Sequence, residues 1–364
     1  MDPSLLTKPA FWKDTTPVAM GDLAVPSELK SHVLFETSGS SGNPKWVAIQ
    51  KLALRLSATA VNRNLGVTEK SRWGLALPVR HVGGFGVATR AFISGCTLQT
   101  FDQRWDAAAF RDWLARERVT HTSLVPTQVY DLVKANLTAP KSLVAIVVGG
   151  GHLDSITGQA ARDLGWPVLA SYGLTETASQ IATQGLDQLE LPYQSAPLPL
   201  LKICKVQTTP DGLLQIRGAT LFSGYVIDGK FVPRDSDWFT TQDRVIVENE
   251  AITPLGRADT LVKILGELVD PEAIERELLA LSNGKLGRFA IVALPDPRSG
   301  HTLVPVFDSS ADSALVETTL ALYAEQAPGF RRLQPSVTID QLPCSDLGKL
   351  RRSELVAMVL KSIP

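Results

Sequence analysis

From Leu52 to Ser171 the apolar positions change period again and again. Leu52 to Leu65 sets them at helical spacing with Arg55 and Arg63 on other faces, and Trp73 to Val79 reads as a strand. Phe85 to Ile93 is predicted as a helix, Thr97 to Phe101 as a strand, Ala107 to Arg118 as a helix and Thr122 to Val125 as a strand. The pattern continues with a helix at Thr127 to Asn136, a strand at Leu143 to Val148, a helix at Ser155 to Leu164 and a strand at Val168 to Ser171. Such alternation predicts a largely parallel sheet with helices packed on its faces. Upstream, the short apolar runs Val33-Leu34-Phe35 and Trp46-Val47-Ala48-Ile49 read as two strands joined by Thr37 to Lys45.

Beyond about Leu191 short strands with turn signals, such as Leu213 to Arg217 and Arg244 to Val247, predict a small β-rich lobe. Around Gly256-Arg257-Ala258-Asp259 the pattern changes again. A helix opened by Pro271 (Glu272 to Leu281), strands at Phe289 to Leu294 and Leu303 to Phe307, and a helix at Ala314 to Glu325 follow. A strand at Val337 to Ile339 and a helix after Leu350 complete a small α+β unit. The expectation is an α/β protein with a large N-terminal domain over residues 1–257 and a separate C-terminal domain over 258–364.

Composition narrows the function classes. Of 364 residues, 44% are hydrophobic, as in a folded enzyme and unlike a disordered chain. A net charge of -1 leaves no basic excess for a nucleic-acid track. The scattered Cys96, Cys204 and Cys344 show no metal spacing and suit a reducing compartment. Met1 to Asp14 lacks the apolar core of a signal peptide, and no run is long enough to span a membrane, so a cytoplasmic location is expected.

Candidate chemistry begins with Thr37-Ser38-Gly39-Ser40-Ser41-Gly42-Asn43-Pro44-Lys45. Small residues let backbone approach a ligand and leave N–H groups and hydroxyls for an anion, and Lys45 adds a positive charge. The order differs from the common nucleotide loop, because Pro44 precedes the Lys and opposes a helix there. From this stretch alone a phosphate cradle and a flexible surface loop both stay open. Ligands of parallel sheets sit beyond the carboxyl ends of the strands. There the chain is expected to carry three polar, Gly-bearing turns, Arg80-His81-Val82-Gly83-Gly84, Gly149-Gly150-Gly151 and Tyr172-Gly173-Leu174-Thr175-Glu176-Thr177, which could converge on one site.

In order, T-S-G-S-S-G-N-P-K (37–45), S-Y-G-L-T-E-T (171–177), W-F-T-T-Q-D (238–243), G-R-A-D-T-L-V-K-I-L-G-E-L-V-D-P-E-A-I-E (256–275) and L-G-K-L-R-R (347–352) resemble the motifs of the adenylate-forming superfamily of acyl-CoA synthetases, luciferases and peptide-synthetase adenylation domains. The resemblance runs from Val33 onward and implies a two-step reaction using ATP, Mg²⁺ and CoA. A carboxylate attacks the α-phosphorus to give an acyl-adenylate and pyrophosphate, and a thiol then displaces AMP.

By the same resemblance Thr37, Ser38, Gly39, Ser40, Ser41, Gly42 and Lys45 hold the β and γ phosphates. Tyr172 lies against adenine, Gly173 beside it is a cofactor-binding candidate, Thr175 bonds a phosphate, and Glu176 helps hold Mg²⁺. Gly150 and Gly151 approach the adenine and acyl group with their backbone, and Gly149 is a substrate-binding candidate. Asp243 and Arg257 take the ribose, and Lys349 bridges the carboxylate and the α-phosphate. Asp259 is the implied hinge, about which the small domain rotates to exchange Lys349 for the Gly266 loop beside the thiol channel. The chain departs from the usual pattern at Gln242, at Cys344 and in having one Gly at position 266.

The segment His81 to Arg90 is similar to that of the branch of the family that activates o-succinylbenzoate in menaquinone biosynthesis. Such a substrate has an aromatic body and a second carboxylate; Arg90 would meet that carboxylate and His81 would order the reacting end. A surface ion pair is the competing reading of Arg90. Other aromatic or short-chain acids, a carrier-protein thiol in place of CoA, and a non-catalytic nucleotide-binding regulator are alternatives. Most members of the family have a longer segment before the phosphate loop, which implies a reduced N-terminal lobe here and a surface that a second subunit could cover.

Overall fold

A computed structural model describes residues 1–38, 44–345 and 350–362. The chain divides into two compact units, the first comprising 1–241 with 245–254 and the second 242–244 with 255–364.

The first unit is built on a six-stranded sheet. Thr97–Thr100, Arg72–Leu75, His121–Leu124, Ala145–Val148 and Val168–Leu174 run parallel in that order, and Ser179–Thr183 adds antiparallel at the edge. Alternate residues face opposite layers, as strand pleating requires. Ile146, Val148 and Val168 pack with Phe110, Trp113, Leu132 and Ala161 of the helices Ala107–Arg116, Pro126–Lys134 and Ser155–Asp163. Ala145, Val147 and Leu169 pack with Val61, Leu65, Val87 and Ala91, from Lys51–Asn64 with its cap and from Val82–Ser94.

Two further sheets complete this layer system. In one, Val18–Ala19, His32–Ser38, Pro44–Gln50, Gly224–Ile227 and Lys230–Pro233 lie side by side. The other orders Leu198–Pro199, Ala251–Arg257, Phe239–Glu248, Leu213–Gly218 and Cys204–Thr208, so the division between the units falls within two of its strands. In the second unit Phe289–Asp296 pairs antiparallel with Gly300–Asp308, which pairs parallel with Val337–Ile339. Ile291, Leu303 and Phe307 face the helices Pro271–Leu281 and Ser313–Gln326, while Ala290, Val292 and Val306 face Arg352–Ser362.

Two expectations are corrected. The strand predicted over Trp73 to Val79 ends at Leu75, and Pro78 lies in the connection that follows. Arg80 to Gly84 is not a turn throughout, because the helix Val82–Ser94 starts within it with His81 as N-cap. Gly84 permits this close start: a Cβ there would meet the carbonyl oxygens of Pro78 at 2.4 Å and Leu77 at 2.5 Å.

Candidate functional site

The loop 39–43 is framed by a hairpin in which Thr37 pairs with Lys45, and the Thr37 hydroxyl donates to the Lys45 carbonyl at 3.1 Å. The predicted phosphate contacts of Gly39, Ser40, Ser41 and Gly42 lie outside the described residues, as does Lys349; Ser38 closes its strand. The strand Gly224–Ile227 joins the other side of Pro44–Gln50, setting Tyr225 opposite Val47. The Lys45 ammonium lies 5.8 Å from the Tyr225 ring centroid. Tyr225 in turn donates its hydroxyl to Glu176 Oε1 at 3.0 Å. The Lys at the end of the Gly/Ser loop and the carboxylate of the S-Y-G-L-T-E-T motif therefore meet across one tyrosine.

Glu176 is held from both ends. Thr175–Thr177 forms a single 3-10 turn whose Thr177 hydroxyl accepts from the Leu174 amide at 3.0 Å and donates to the Ser179 carbonyl at 2.8 Å. The Phe222 amide donates to the Glu176 carbonyl at 2.8 Å. The chain then reverses through Ala178 (φ 55°) and Ser179 (φ 99°), a left-handed backbone uncommon outside glycine. Gly173 makes the reversal possible, since a Cβ there would come within 1.9 Å of the Ser179 oxygen. Its role in the fold is close strand approach, and Tyr172 beside it is half-buried against the core. Among the described residues no three His, Cys, Asp or Glu converge as a metal cluster. Magnesium bound through one carboxylate and phosphate oxygens needs no such cluster, and Glu176 fits that donor set.

Four residues beyond Glu176, Gln180 leads to a second feature. Arg90, on the helix Val82–Ser94, is 2% exposed. Its Nη1 donates to Ser123 Oγ at 3.1 Å, its Nη2 to Gln180 Oε1 at 2.9 Å, and the guanidinium lies 5.3 Å from the Trp73 ring. All three partners are neutral, and Nε has no partner among the described residues. Burial pushes the guanidinium down to about 10, which leaves it charged at neutral pH. The surface ion pair considered for Arg90 is thus excluded. Gly86 leaves space beside it, because a Cβ there would come within 3.2 Å of Nη2. His81 caps the other end of the same helix, and burial, then Arg80, lower its pKa.

The glycine triplet follows the strand Ala145–Val148. Gly150 adopts φ 79°, and a Cβ on Gly149 would meet Ser171 Oγ at 2.9 Å. Within the second unit Arg257 joins Asp243 (Nη1 to Oδ1, 3.2 Å) to Asp259 (2.8 and 2.7 Å, a two-pronged pair). Asp243 is buried. Gly266, with φ 90°, shares the two-residue turn of the hairpin Val262–Ile264 and Glu267–Val269 with Leu265.

Tyr225, Ser123, Gln180 and Trp73 were not among the residues expected from sequence. For Ser123 a signal existed: the polar run His121-Thr122-Ser123 in a central parallel strand, where apolar residues are the rule. Tyr225 had only a weak one, an aromatic beside Gly224 among short strands.

Comparison with known proteins identifies the family to which this site belongs. The 2-succinylbenzoate--CoA ligase of Bacillus pumilus is 29% identical over 336 residues, covering 88% of this chain and 68% of that protein. The ligase of the same name from Staphylococcus aureus is 27% identical over 355 residues, covering 92% and 71%. The Bacillus subtilis o-succinylbenzoate CoA synthetase (MenE) in complex with the acyl-adenylate intermediate OSB-AMP superposes with a TM-score of 0.75 at 26% identity, over 89% of this chain and 68% of that one. ATP-bound MatB from Rhodopseudomonas palustris, at 23% identity and TM-score 0.78 over 91% and 68%, shares the fold. The sequence profile described as AMP-binding enzyme matches residues 17–226, more than half of the chain, and the chain belongs to the AMP-binding enzyme family.

Proposed function

We propose that this chain is an ATP-dependent, AMP-forming acid–CoA ligase whose acid is o-succinylbenzoate. The observation that carries the substrate is Arg90, a buried guanidinium with a spare N–H and, among the described residues, no carboxylate paired with it. A buried charge without a counter-charge is costly, and a ligand that brings one recovers that cost on binding. A second carboxylate on an aromatic acid supplies it while the first reacts. Relatives named for 2-succinylbenzoate over most of the chain support the same acid.

In this reading Lys45 and the loop residues Thr37 to Gly42 grip the β and γ phosphates, with Thr175 at a further phosphate oxygen. Glu176 holds Mg²⁺, which supplies charge neutralisation on the phosphates when bound. Gly149, Gly150 and Gly151 let backbone approach the acyl-adenylate, Tyr172 and Gly173 border adenine, and Asp243 with Arg257 takes the ribose hydroxyls. Held neutral by burial, His81 can hydrogen-bond the reacting end without drawing the second carboxylate away from Arg90. Lys349 places positive charge where the carboxylate oxygen bonds to the α-phosphorus and pyrophosphate leaves. The small domain, hinged at Asp259, then brings the Gly266 loop to the thiol channel; the CoA sulfur bonds to the acyl carbon and AMP leaves.

The test is AMP release by purified protein with ATP, Mg²⁺ and CoA across a panel of acids. o-Succinylbenzoate should turn over, and benzoate, which leaves Arg90 without its anion, should fall by roughly a thousandfold or more in kcat/KM. Turnover of benzoate equal to that of o-succinylbenzoate overturns the assignment of the acid.

A further inference from the structure

We propose that Tyr225 is a positioning residue that fixes the spacing and orientation of Lys45 and Glu176, setting the Mg²⁺ affinity of the site through its hydroxyl and the seat of the ammonium through its ring. This rests on the reading that Glu176 holds the metal and Lys45 the polyphosphate.

The geometry gives Tyr225 little freedom. Its strand, Gly224–Ile227, is clamped between Pro44–Gln50 and Lys230–Pro233. Gly224 beside it permits no side chain, since a Cβ would lie 2.2 Å from the Val232 carbonyl oxygen. The ring packs on Phe222 with centroids 4.7 Å apart, and Phe222 in turn packs on Phe239 at 5.0 Å. Phe222 also donates its amide to the Glu176 carbonyl, so the backbone and the carboxylate of Glu176 are held by neighbouring residues of one segment.

The chemistry of the phenol suits the task. Burial, followed by the charge of Glu176, raises the Tyr225 pKa, so the hydroxyl stays protonated and acts as a donor to the carboxylate. With Oε1 engaged at 3.0 Å the carboxylate cannot turn freely about its last bond, and Oε2 is presented in one direction. A hard cation that takes one protein carboxylate and completes its shell with phosphate and water gains from that preorganisation. The ring face beneath the Lys45 ammonium adds a weak cation–π contact at the longer end of its range. One side chain therefore couples a metal-binding anion to a phosphate-binding cation.

Tyr225→Phe separates these two roles, because it deletes the hydroxyl and keeps the ring. In ATP–pyrophosphate exchange titrated with Mg²⁺, Tyr225→Phe should raise the apparent KM for Mg²⁺ about tenfold, the scale of one lost hydrogen bond to a charged group. Saturating Mg²⁺ should restore kcat to within about twofold, since only preorganisation of the carboxylate is lost. Tyr225→Leu, which removes the ring as well, should in addition raise the KM for ATP. Thermal unfolding without ligand is the folding control for Tyr225→Phe, and the Mg²⁺ concentration at which ATP raises the melting temperature should shift in the same direction without any turnover. A wild-type Mg²⁺ dependence in Tyr225→Phe, or a loss of kcat that Mg²⁺ does not rescue, overturns the proposal provided Glu176→Gln does shift that dependence. If Glu176→Gln leaves the Mg²⁺ dependence unchanged, the metal reading of Glu176 itself falls.

Discussion

Two arginines, one in each unit, have been given opposite surroundings. Arg352, the first residue of its helix, meets Glu275 through both terminal nitrogens, Nη1 and Nη2, at 2.9 and 2.8 Å, and lies 3.3 Å from Glu272. Burial works against its charge, yet Glu275 and then Glu272 outweigh burial and raise its pKa. Glu275 is tied in turn to the sheet, accepting from the Ile291 amide at 2.8 Å. Arg90 is more deeply enclosed and has a serine, a glutamine and an indole face instead of carboxylates, and its pKa falls. A guanidinium whose fork is filled from within the fold is a fastener. One that is buried, charged and left with a spare N–H fits the receptor role proposed for Arg90, because an anion that satisfies it would have to come from outside.

The largest test of this contrast is Arg90→Met. Losing one partner of a buried charge-assisted pair costs about 3 kcal/mol or more, so kcat/KM for o-succinylbenzoate should drop by at least roughly a hundredfold. Turnover of an acid without the second carboxylate should change little by comparison. Arg90→Lys keeps the charge and loses the planar fork, and should fall between the two. Stability should move by no more than about 1 kcal/mol, because relief of an uncompensated buried charge offsets the orphaning of Ser123 Oγ and Gln180 Oε1. Urea unfolding of the same variant checks this; a large destabilisation would make Arg90 a fastener too and remove the contrast.

Arg352→Met should do the reverse. Glu275 would be left without its partner, and a loss of about 2 kcal/mol is expected, toward the low end for broken buried pairs because Arg352 is partly exposed. Substituting both partners, Arg352→Met with Glu275→Leu, should recover part of it, since the penalty comes from the stranded charge. Greater instability in the double variant than in the single one would show that the pair contributes more than it costs.

This contrast also shows what the sequence could and could not convey. Helix and strand periods were readable because each buried face repeats locally, and the alternation from residue 52 to 171 yields the parallel sheet with its two helical layers. The family resemblance of the motifs singled out Lys45, Glu176, Asp243 and Arg257, of which the fold brings Lys45 and Glu176 to one tyrosine and pairs Asp243 with Arg257. What escaped were meetings between residues far apart in the chain: Tyr225 with Glu176, Gln180 with Arg90, Ser123 with Arg90. No local pattern encodes those. The reversal after Glu176 escaped for another reason. Its left-handed positions are Ala178 and Ser179 rather than glycine, and the constraint is supplied by Thr177 and by the approach that Gly173 permits. A similar limit applies to Arg90, where the sequence shows a charge on a helix and only tertiary packing decides whether it faces water.

The smallest effect should come from pH, and it probes the same indole that Arg90 contacts. His121 lies 5.4 Å from the Trp73 ring, with Nδ1 2.8 Å from Thr120 Oγ1 and Nε2 3.3 Å from the Leu65 carbonyl oxygen. Burial lowers its pKa from the ordinary 6.5, against the opposing pull of the Leu65 carbonyl. Below 6.5 the unfolded chain takes up a proton that the folded chain resists, so stability is full above that pH and is lost as pH falls through the window beneath it. A proton forced onto His121 would put a second positive charge near a ring already bordered by Arg90, where none of Arg90's partners carries a negative charge. The urea midpoint should therefore decline from pH 7 to about 5, and His121→Gln should flatten the decline. His81, lowered by burial and Arg80, acts in the same direction, so some slope should remain in that variant. An unchanged slope in His121→Gln would mean that His121 accepts its proton without penalty, and that the surroundings of Arg90 tolerate added positive charge better than its neutral partners imply.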